Sequence, residues 1–480
     1  MATATELDTD AARAHGWIDS ERLQTACGEV RFVGGYPTAD GARRLLELRT
    51  LNRAIEVYLS QMPAASWYAV WRAIAEAGDA TPNQLVLWQS RMDAETLLLT
   101  GNAETVYGLV SLDLKRDGPV VIEAPPRMLG GIVDMWQRET AGIGPTGIDS
   151  GKGGAFLLVP PGYQGDAPDR YVVIRSHTYR TSIGVRGFLV DGEADEPAAL
   201  LASMKVYPLS EAARAPATKV VKGSGLPIDT IFSDTLQFFE DLAEVVEYEP
   251  EDVLEAHERF QLASIGIVKG KLFAPDGARI RILSQAAQLG SAMARANSFA
   301  SMEEERLAYP NRRWEWAFAG GSATWDEAGF VNVDHRASFA YLAIGMSPAM
   351  VNKVVGQGSQ YLLGVRDSTG ALLDGGKNYH LHLPPRIPAK NFWSIVAYDA
   401  VSRSMLKNEQ PFPSVSSYTD PATNPDGSFD IYFGPEPQRG GNKNWIRTLD
   451  GRGWFALLRF YGPLESFFDL TWQPDDIKVV

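Results

Sequence analysis

At 480 residues the chain is about two to three times the usual length of one domain, so more than one hydrophobic core is expected. A formal net charge of −14, without any run of Lys and Arg, argues against a nucleic-acid partner because nothing would neutralise a row of phosphates. The single cysteine, Cys27, excludes an intramolecular disulfide and a zinc site built on several thiolates.

The start of the chain is polar and acidic, and it lacks the basic segment and apolar run of a secretory signal. No stretch approaches the roughly 20 apolar residues that a membrane-spanning helix needs. We therefore expect a soluble, cytoplasmic protein that has no membrane partner.

Residues 38–78 predict a helical hairpin. Leu45, Leu48 and Leu51 recur at helical spacing, and Thr38 or Asp40 could cap the first helix. Pro63 suits the first position of a helix, so a second helix is expected to begin there.

Short apolar runs broken by Gly, Pro and Asp follow at residues 84–190 and predict successive strands, interrupted by one helix near residues 128–140. The helical period returns at residues 198–300, and strands resume from about residue 341 to the end. The pattern predicts a mainly β fold with helical elements, of the α+β class.

Two parts of the sequence resemble domains of unknown function. The blocks KNYHLHLPPRIPAKNFWSIVAYD and GWFALLRFYGPLESFFDLTWQPDDI resemble domain of unknown function 1214. Upstream, NAETVYGLVSLDLKRDGPVVIEAPP and GKGGAFLLVPPGYQGD resemble domain of unknown function 1254. The resemblance implies two jelly-roll-like β-sandwich domains, at residues 1–195 and 336–480, joined by a helical segment at residues 196–335. It implies no settled activity.

Three standard cofactor and enzyme motifs do not fit. Gly142, Gly144 and Gly147 have the spacing of a dinucleotide-binding loop, but the pattern places no strand before them and no helix after them. A nucleophile elbow, a metalloprotease HExxH sequence and a P-loop are missing from the sequence. We expect no dinucleotide, and the sequence demands no other cofactor.

The segment YVVIRSHTYR places Arg175, His177 and Tyr179 on one face of a predicted strand. Both faces turn polar here, which is typical of a strand at an interface, a cavity mouth or an exposed edge. Either a ligand-facing strand or an exposed edge strand fits this pattern.

His335 lies between Asp334 and Arg336. A carboxylate can orient an imidazole and a guanidinium can hold an anion, but the same trio also suits a buried polar network under a helix. Arg175, His177, Tyr179 and His335 are our candidate catalytic residues.

In NYHLHL, strand alternation puts His380 and His382 on one face, where two imidazoles could share a divalent metal if another element supplied a third ligand. A solvated face with no metal fits equally. Farther on, we expect Arg459 to form a structural ion pair with Asp399, as buried Arg–Asp pairs in sandwiches commonly do.

These features predict an enzyme that acts on a small or medium organic substrate by hydrolysis or elimination, in a cleft between the two β domains. Histidine would supply the acid or base and arginine would hold an anionic group. The alternatives are a non-catalytic module that binds a saccharide or another polymer, and a structural scaffold without a small ligand. A homo-oligomer is compatible with the sequence.

Overall fold

The computed structural model describes residues 21–25, 28–301, 303–346, 348–437 and 443–480. The polar leader and Cys27 lie outside these ranges. Within them, none of the helices combines the length and the apolar character needed to cross a bilayer.

Helix and strand occur in nearly equal shares, 28% and 29%, which confirms the α+β class. The α-helices are α1 (Ala39–Glu76), α2 (Leu114–Asp117), α3 (Asp195–Ala202), α4 (Gln237–Tyr248), α5 (Ala256–Ile265), α6 (Gly277–Ala300), α7 (Val333–Leu342) and α8 (Glu465–Phe468). Short 3₁₀ helices lie at Leu209–Glu211, Glu251–Val253, Glu304–Arg306, Ala319–Gly321 and Pro348–Met350.

The first twelve strands are β1 (Arg22–Thr25), β2 (Gly28–Val33), β3 (Tyr36–Pro37), β4 (Leu85–Trp88), β5 (Thr105–Asp113), β6 (Val120–Ala124), β7 (Leu129–Asp134), β8 (Glu139–Ile143), β9 (Gly154–Val159), β10 (Val172–Arg175), β11 (Arg180–Phe188) and β12 (Lys205–Pro208). The other twelve are β13 (Val220–Lys222), β14 (Glu315–Trp316), β15 (Asp326–Glu327), β16 (Phe330–Val331), β17 (Ser359–Gly364), β18 (Tyr379–Leu383), β19 (Ala389–Asp399), β20 (Ser414–Ser416), β21 (Phe429–Gly434), β22 (Trp445–Arg447), β23 (Trp454–Pro463) and β24 (Lys478–Val479).

Each β region contains two sheets that share a core. In the N-terminal region, a six-stranded sheet of order β13-β4-β5-β11-β7-β8 packs on a four-stranded sheet of order β10-β9-β6-β12. In the C-terminal region, a five-stranded sheet of order β14-β17-β23-β19-β20 packs on a four-stranded sheet of order β22-β21-β18-β24. The jelly-roll topology and the three domain boundaries stay predictions.

The predicted helical hairpin is wrong, because α1 runs unbroken for 38 residues with Pro63 inside it. Proline removes the helical N–H donor for the carbonyl of Leu59 and would ordinarily cost about 3 kcal/mol. The surrounding turns are buried. The Arg336 guanidinium donates to the carbonyl of Ser60 at 3.0 Å, and the Gln137 amide donates to the carbonyl of Pro63 at 3.1 Å. Tertiary packing therefore keeps the helix continuous.

The helix predicted near residues 128–140 is also wrong, since β7 and β8 form a hairpin there. Gly130 and Gly131 lie in β7, and a Cβ atom at Gly130 would approach the carbonyl oxygen of Gly184 in β11 to 2.2 Å. Glycine is a poor helix former and permits this close approach of two strands.

The predicted helical segment does contain α4, α5 and α6, which pack on α1. The largest hydrophobic core joins these helices to one face of the six-stranded sheet, through Trp88 and Leu109, and to the five-stranded sheet, through Phe455 and Leu457. The two large sheets thus approach each other across a shared apolar interior.

Candidate functional site

A cavity of about 400 Å³ lies where the two large sheets approach each other. Strands β5, β7, β8 and β11 line one side, β17 and β23 line the other, and Trp67 of α1 and Phe339 of α7 close part of the remainder. Most of the lining side chains are apolar. The volume and the lining are typical of sites that bind small organic molecules.

Two arginines face two tyrosines across neighbouring strands in this cavity. Arg186 in β11 lies directly opposite Tyr107 in β5, and Arg459 in β23 lies directly opposite Tyr361 in β17. Each sheet therefore brings one guanidinium and one phenol to the space between the sheets. Tyr461, also in β23, adds a third phenol.

Arg459 is 3% exposed and incompletely hydrogen-bonded. Its Nη2 donates to the carbonyl of Thr100 at 2.8 Å, whereas its buried Nη1 has no hydrogen-bond partner. Within the described residues, neither Arg459 nor Arg186 forms an ion pair with a carboxylate. The expected structural pair with Asp399 is wrong, because that carboxylate lies 3.5 Å from Arg452 and accepts backbone N–H groups at residues 401 and 402.

The pKa values of two cavity tyrosines shift in opposite directions. Burial raises the pKa of the Tyr107 hydroxyl, but the positive charges of Arg186 and Arg459 outweigh burial and the pKa is lowered overall. Burial, together with the neighbouring Tyr361 and Tyr107, raises the pKa of Tyr461 well above its ordinary value. The arginines therefore favour one phenolate in this group of phenols.

The segment with Arg175, His177 and Tyr179 is not a single strand. β10 ends at Arg175 and β11 begins at Arg180, and the two strands belong to different sheets. Arg175 and His177 are exposed, and β10 is an edge strand, which agrees with the exposed-edge interpretation. The backbone N–H of Tyr179 donates to Glu249 Oε2 at 2.6 Å. None of the three residues lines the large cavity.

His335 lies in the first turn of α7, where its backbone N–H donates to the side chain of Asn332. Its Nε2 lies 3.3 Å from Glu303 Oε2, and its buried Nδ1 has no hydrogen-bond partner. The imidazole lines a second cavity of about 280 Å³, which shares Phe318, Met350 and Tyr361 with the large one. His335 thus adjoins the large cavity without lining it.

His380 and His382 share a surface of β18 and contact one carboxylate. His380 Nε2 and His382 Nδ1 each lie 2.8 Å from Asp430 Oδ1 in β21, and Asn424 donates to Asp430 Oδ2 at 2.9 Å. Burial raises the pKa of Asp430, but its bonds to His382, Asn424 and His380 outweigh burial and lower the pKa to about 2.

The imidazole nitrogens of this surface cluster meet a carboxylate oxygen rather than a common metal position. Across the described ranges, no group of three or more His, Cys, Asp or Glu side chains is arranged to hold a metal ion. The divalent metal at His380 and His382 stays a prediction. His177 lies between β10 and β11 in the N-terminal β region, whereas the pair lies on β18 in the C-terminal β region. The structure therefore does not bring the predicted histidines together.

The sequence analysis did not select Arg186, and it assigned Arg459 to an ion pair, although the sequence around both arginines has a common feature. Each is a lone charged residue inside an apolar strand, in IGVRGFLV and in WFALLRFYGP. A strand whose neighbouring residues are all buried must also place its charged residue inside the protein. Such an arginine is therefore a candidate for contact with a ligand.

The comparisons concern the family and the fold. Residues 82–208 match the family model described as protein of unknown function DUF1254, and residues 358–465 match that of DUF1214. None of the curated proteins compared with the chain matches it.

The crystal structure of the VPA0106 protein from Vibrio parahaemolyticus is similar to the chain, with 19% identity and a TM-score of 0.56 over 90% of this chain and all of that one. A putative uncharacterised protein from Burkholderia cenocepacia aligns at 14% identity and a TM-score of 0.42, over 92% of this chain and 97% of its own. The first likeness supports the overall fold. By its two family matches, the chain combines a DUF1254 domain with a C-terminal DUF1214 domain in one polypeptide.

Proposed function

We propose that the protein is an enzyme that binds a small or medium organic anion in the large cavity and acts on it by hydrolysis or elimination. The observation that carries the proposal is the pair of arginines, Arg186 and Arg459, which line an apolar cavity without a carboxylate partner among the described residues. A buried cation without a counter-charge costs several kcal/mol, and a bound anion would offset that cost.

Two other buried arginines, Arg306 and Arg403, provide a comparison for Arg459. Arg306 lies 3.4 Å from Glu315. Arg403, which is as buried as Arg459 at 3% exposure, donates to the carbonyls of Tyr341 and Val401. Arg459 donates to the carbonyl of Thr100 and lies over the rings of Tyr361 and Tyr398. One buried nitrogen in each of the three guanidinium groups lacks a hydrogen-bond partner, but only Arg459 of the three lines the large cavity, where a ligand could supply an acceptor.

The cavity shape favours a small ligand over a polymer. A polymer needs an open groove lined by aromatic side chains, whereas this space lies between two sheets and beneath Trp67 and Phe339. A carboxylate or similar anion would contact the arginines, and an apolar body would contact the remaining lining. The saccharide- or polymer-binding alternative therefore has less support.

The acid or base of the proposed reaction is not a histidine of the large cavity. Histidine was expected in the cleft, yet no histidine lines the large cavity in the described part of the chain. His335 stays a candidate from the adjoining space, behind Phe318 and Tyr361.

A binding experiment with two matched ligands tests the proposal. Benzoate and benzamide have similar size and shape but only benzoate is charged, so calorimetry should detect benzoate and a much weaker interaction with benzamide. Arg459→Met should lower benzoate affinity at least tenfold, since a charge-assisted hydrogen bond contributes about 1.5–3 kcal/mol. Equal binding of the two ligands would contradict the proposal.

Arg403→Met is the matched control, because it removes an equally buried guanidinium that does not line the cavity. The circular dichroism spectrum should establish that each variant is folded before binding is measured. A loss of benzoate affinity in Arg403→Met as large as in Arg459→Met would show a general effect of removing buried arginine. A hydrolase and lyase substrate screen with organic acids should follow.

A further inference from the structure

We propose that Tyr107 is the proton-transfer residue of the cavity, acting as a phenolate on a substrate C–H bond while the arginines hold the substrate anion. This inference rests on the proposed function, and within it favours elimination over hydrolysis. The substrate class is an organic acid whose C–H bond is acidified by a neighbouring carbonyl and whose next carbon carries a leaving group.

Every phenol around the arginines has a hydrogen-bond partner in the protein, and those of Tyr107 are Arg186 and Asn102. The hydroxyl of Tyr361 lies 2.6 Å from Ser359 Oγ, and that of Tyr398 donates to the carbonyl of Gly101 at 2.7 Å. The hydroxyl of Tyr461 accepts a hydrogen bond from Asn102. Tyr107 lines the cavity and is only partly buried, whereas these three residues are buried. A ligand therefore reaches Tyr107 most readily.

The position of Tyr107 follows from strand pairing. It lies opposite Arg186 in β11 and opposite Trp88 in β4, so its backbone is fixed on both sides in the middle of the six-stranded sheet. Proton transfer requires a base held within hydrogen-bond reach of a bound substrate. A residue on a central strand meets that requirement better than one on a loop.

The electrostatic surroundings stabilise the charged form of Tyr107. Arg186 and Arg459 lower its pKa, and Asn102 lowers it further through a hydrogen bond. The acid nearest along the chain, Glu104, accepts hydrogen bonds from the hydroxyls of Ser414 and Ser416. The other titratable groups near this cluster include Tyr361, Tyr398 and Tyr461. Glu139 in β8 also lines the cavity, and burial raises the pKa of its carboxyl group, which favours the neutral form. Two cations thus outweigh the effect of burial on the pKa of Tyr107.

The proposed step balances without a cofactor. The phenolate oxygen forms an O–H bond as the substrate C–H bond breaks, and the C–H electron pair becomes the new C=C bond. The leaving group departs with its bonding pair. The phenol then gives its proton to the departing group, which regenerates the phenolate. The same arginines that bind the anion also stabilise the negative charge that develops on the neighbouring carbonyl.

The first test follows tyrosine ionisation by its absorbance near 295 nm during a pH titration. One tyrosine should ionise below the ordinary value of about 10, and this transition should be lost in Tyr107→Phe. Tyr418→Phe is the control, because burial raises the pKa of Tyr418 to about 12 and it does not line the cavity. A titration without a low transition, or its survival in Tyr107→Phe, would overturn the inference.

The second test measures proton transfer itself, with phenylpyruvate as the probe. The protein should accelerate exchange of the methylene protons with D₂O above the buffer rate, as followed by nuclear magnetic resonance. Tyr107→Phe should lower the exchange rate roughly a hundredfold, within the range for loss of a general base, and Tyr418→Phe should leave it unchanged. Exchange at the buffer rate in the native protein, or equal exchange in Tyr107→Phe, would contradict the role.

Calorimetry with benzoate separates the two proposals. If the native protein does not bind benzoate, the proposed function fails even when Tyr107 ionises early. If benzoate binds and Tyr107→Phe retains that binding while ionisation and exchange are unaffected by the substitution, only the assignment of Tyr107 fails.

Discussion

Two clusters of basic side chains differ in how their positive charge is balanced. The cavity cluster consists of Arg186 and Arg459, and the surface cluster consists of His380 and His382 on β18. At the surface, His380 and His382 share the carboxylate of Asp430, and about a quarter to a third of each side chain remains in water. In the cavity, Arg186 and Arg459 lie among phenols and form no ion pair within the described residues, although Glu139 also lines the cavity. The surface cluster contains its own counter-charge, whereas in the proposed function a bound anion supplies the counter-charge of the cavity cluster.

The cost of a missing counter-charge differs between these two regions. Exposed ion pairs contribute about 0–1 kcal/mol because water screens them, so the surface cluster changes little when one member is lost. In an apolar interior the same charge has no such screening, and an unpaired cation costs several kcal/mol. A binding site is therefore easier to recognise from what its buried charges lack than from the number of reactive side chains it contains.

The largest effect should come from the wall of the cavity. Phe455 is 1% exposed and belongs to the core that joins the two large sheets, so Phe455→Ala should lower the free energy of unfolding by about 3–5 kcal/mol. Tyr432→Ala, beside His380 on the surface, should cost much less. Urea denaturation measures both. Equal costs would contradict the contrast between a buried wall and a solvated surface.

Substitution of Arg186 should change stability less than Phe455→Ala does, and in the opposite direction. Arg186→Met removes a cation that has no carboxylate partner among the described residues, so the free energy of unfolding should stay unchanged or rise by about 1 kcal/mol. Affinity for benzoate should fall about tenfold or more. Urea denaturation measures the stability and calorimetry measures the benzoate affinity of the same preparation. A variant that loses stability and keeps its affinity would show that Arg186 is structural.

Asp430 should make the free energy of unfolding depend on pH. Its pKa is lowered to about 2 from 3.8, so its contribution to stability is present above pH 4 and is lost as the pH falls towards 2. Asp430→Asn should therefore lower the free energy of unfolding by about 1 kcal/mol near pH 7, after screening by water, and by less near pH 2. Denaturation at several pH values measures the difference, which a pH-independent cost would contradict.

The smallest effect is expected from the surface histidines on ligand binding. His380→Ala and His382→Ala should change benzoate affinity less than twofold, because neither residue lines the cavity. Elemental analysis of the same samples tests the metal prediction. A metal near one equivalent that falls in both variants would show that the pair and Asp430 serve as ligands.

The spacing of apolar and polar residues predicted those features that depend on the geometry of a single helix or strand. The two-residue period of a strand was enough to place His380 and His382 on one surface, and helical spacing was enough to place helices after residue 198. The prediction of a helical hairpin was wrong because tertiary packing overrides the local effect of Pro63. The prediction of a helix near residues 128–140 was wrong because the close contact of Gly130 with Gly184 is made between strands that are distant in sequence.

The cavity cluster could not be assembled from the sequence for a physical reason. Arg186 and Arg459 belong to different sheets, and only the packing of those sheets on a shared core makes them neighbours. A lone arginine in each apolar strand was visible, but the missing carboxylate was not. The expected pair with Asp399 shows how readily proximity in sequence suggests the wrong partner.

The unbroken course of α1 has a consequence for how the protein folds. The carbonyl of Ser60 accepts a hydrogen bond from Arg336, 276 positions later in the chain, and α1 also packs on α6 and α7. Such contacts have high sequence separation, so their loop-closure entropy must be overcome before they stabilise the helix. During synthesis, the contacts that stabilise the turns around Pro63 can therefore form only after residue 336 has been added. The first long helix would then be among the last elements to reach its final packing.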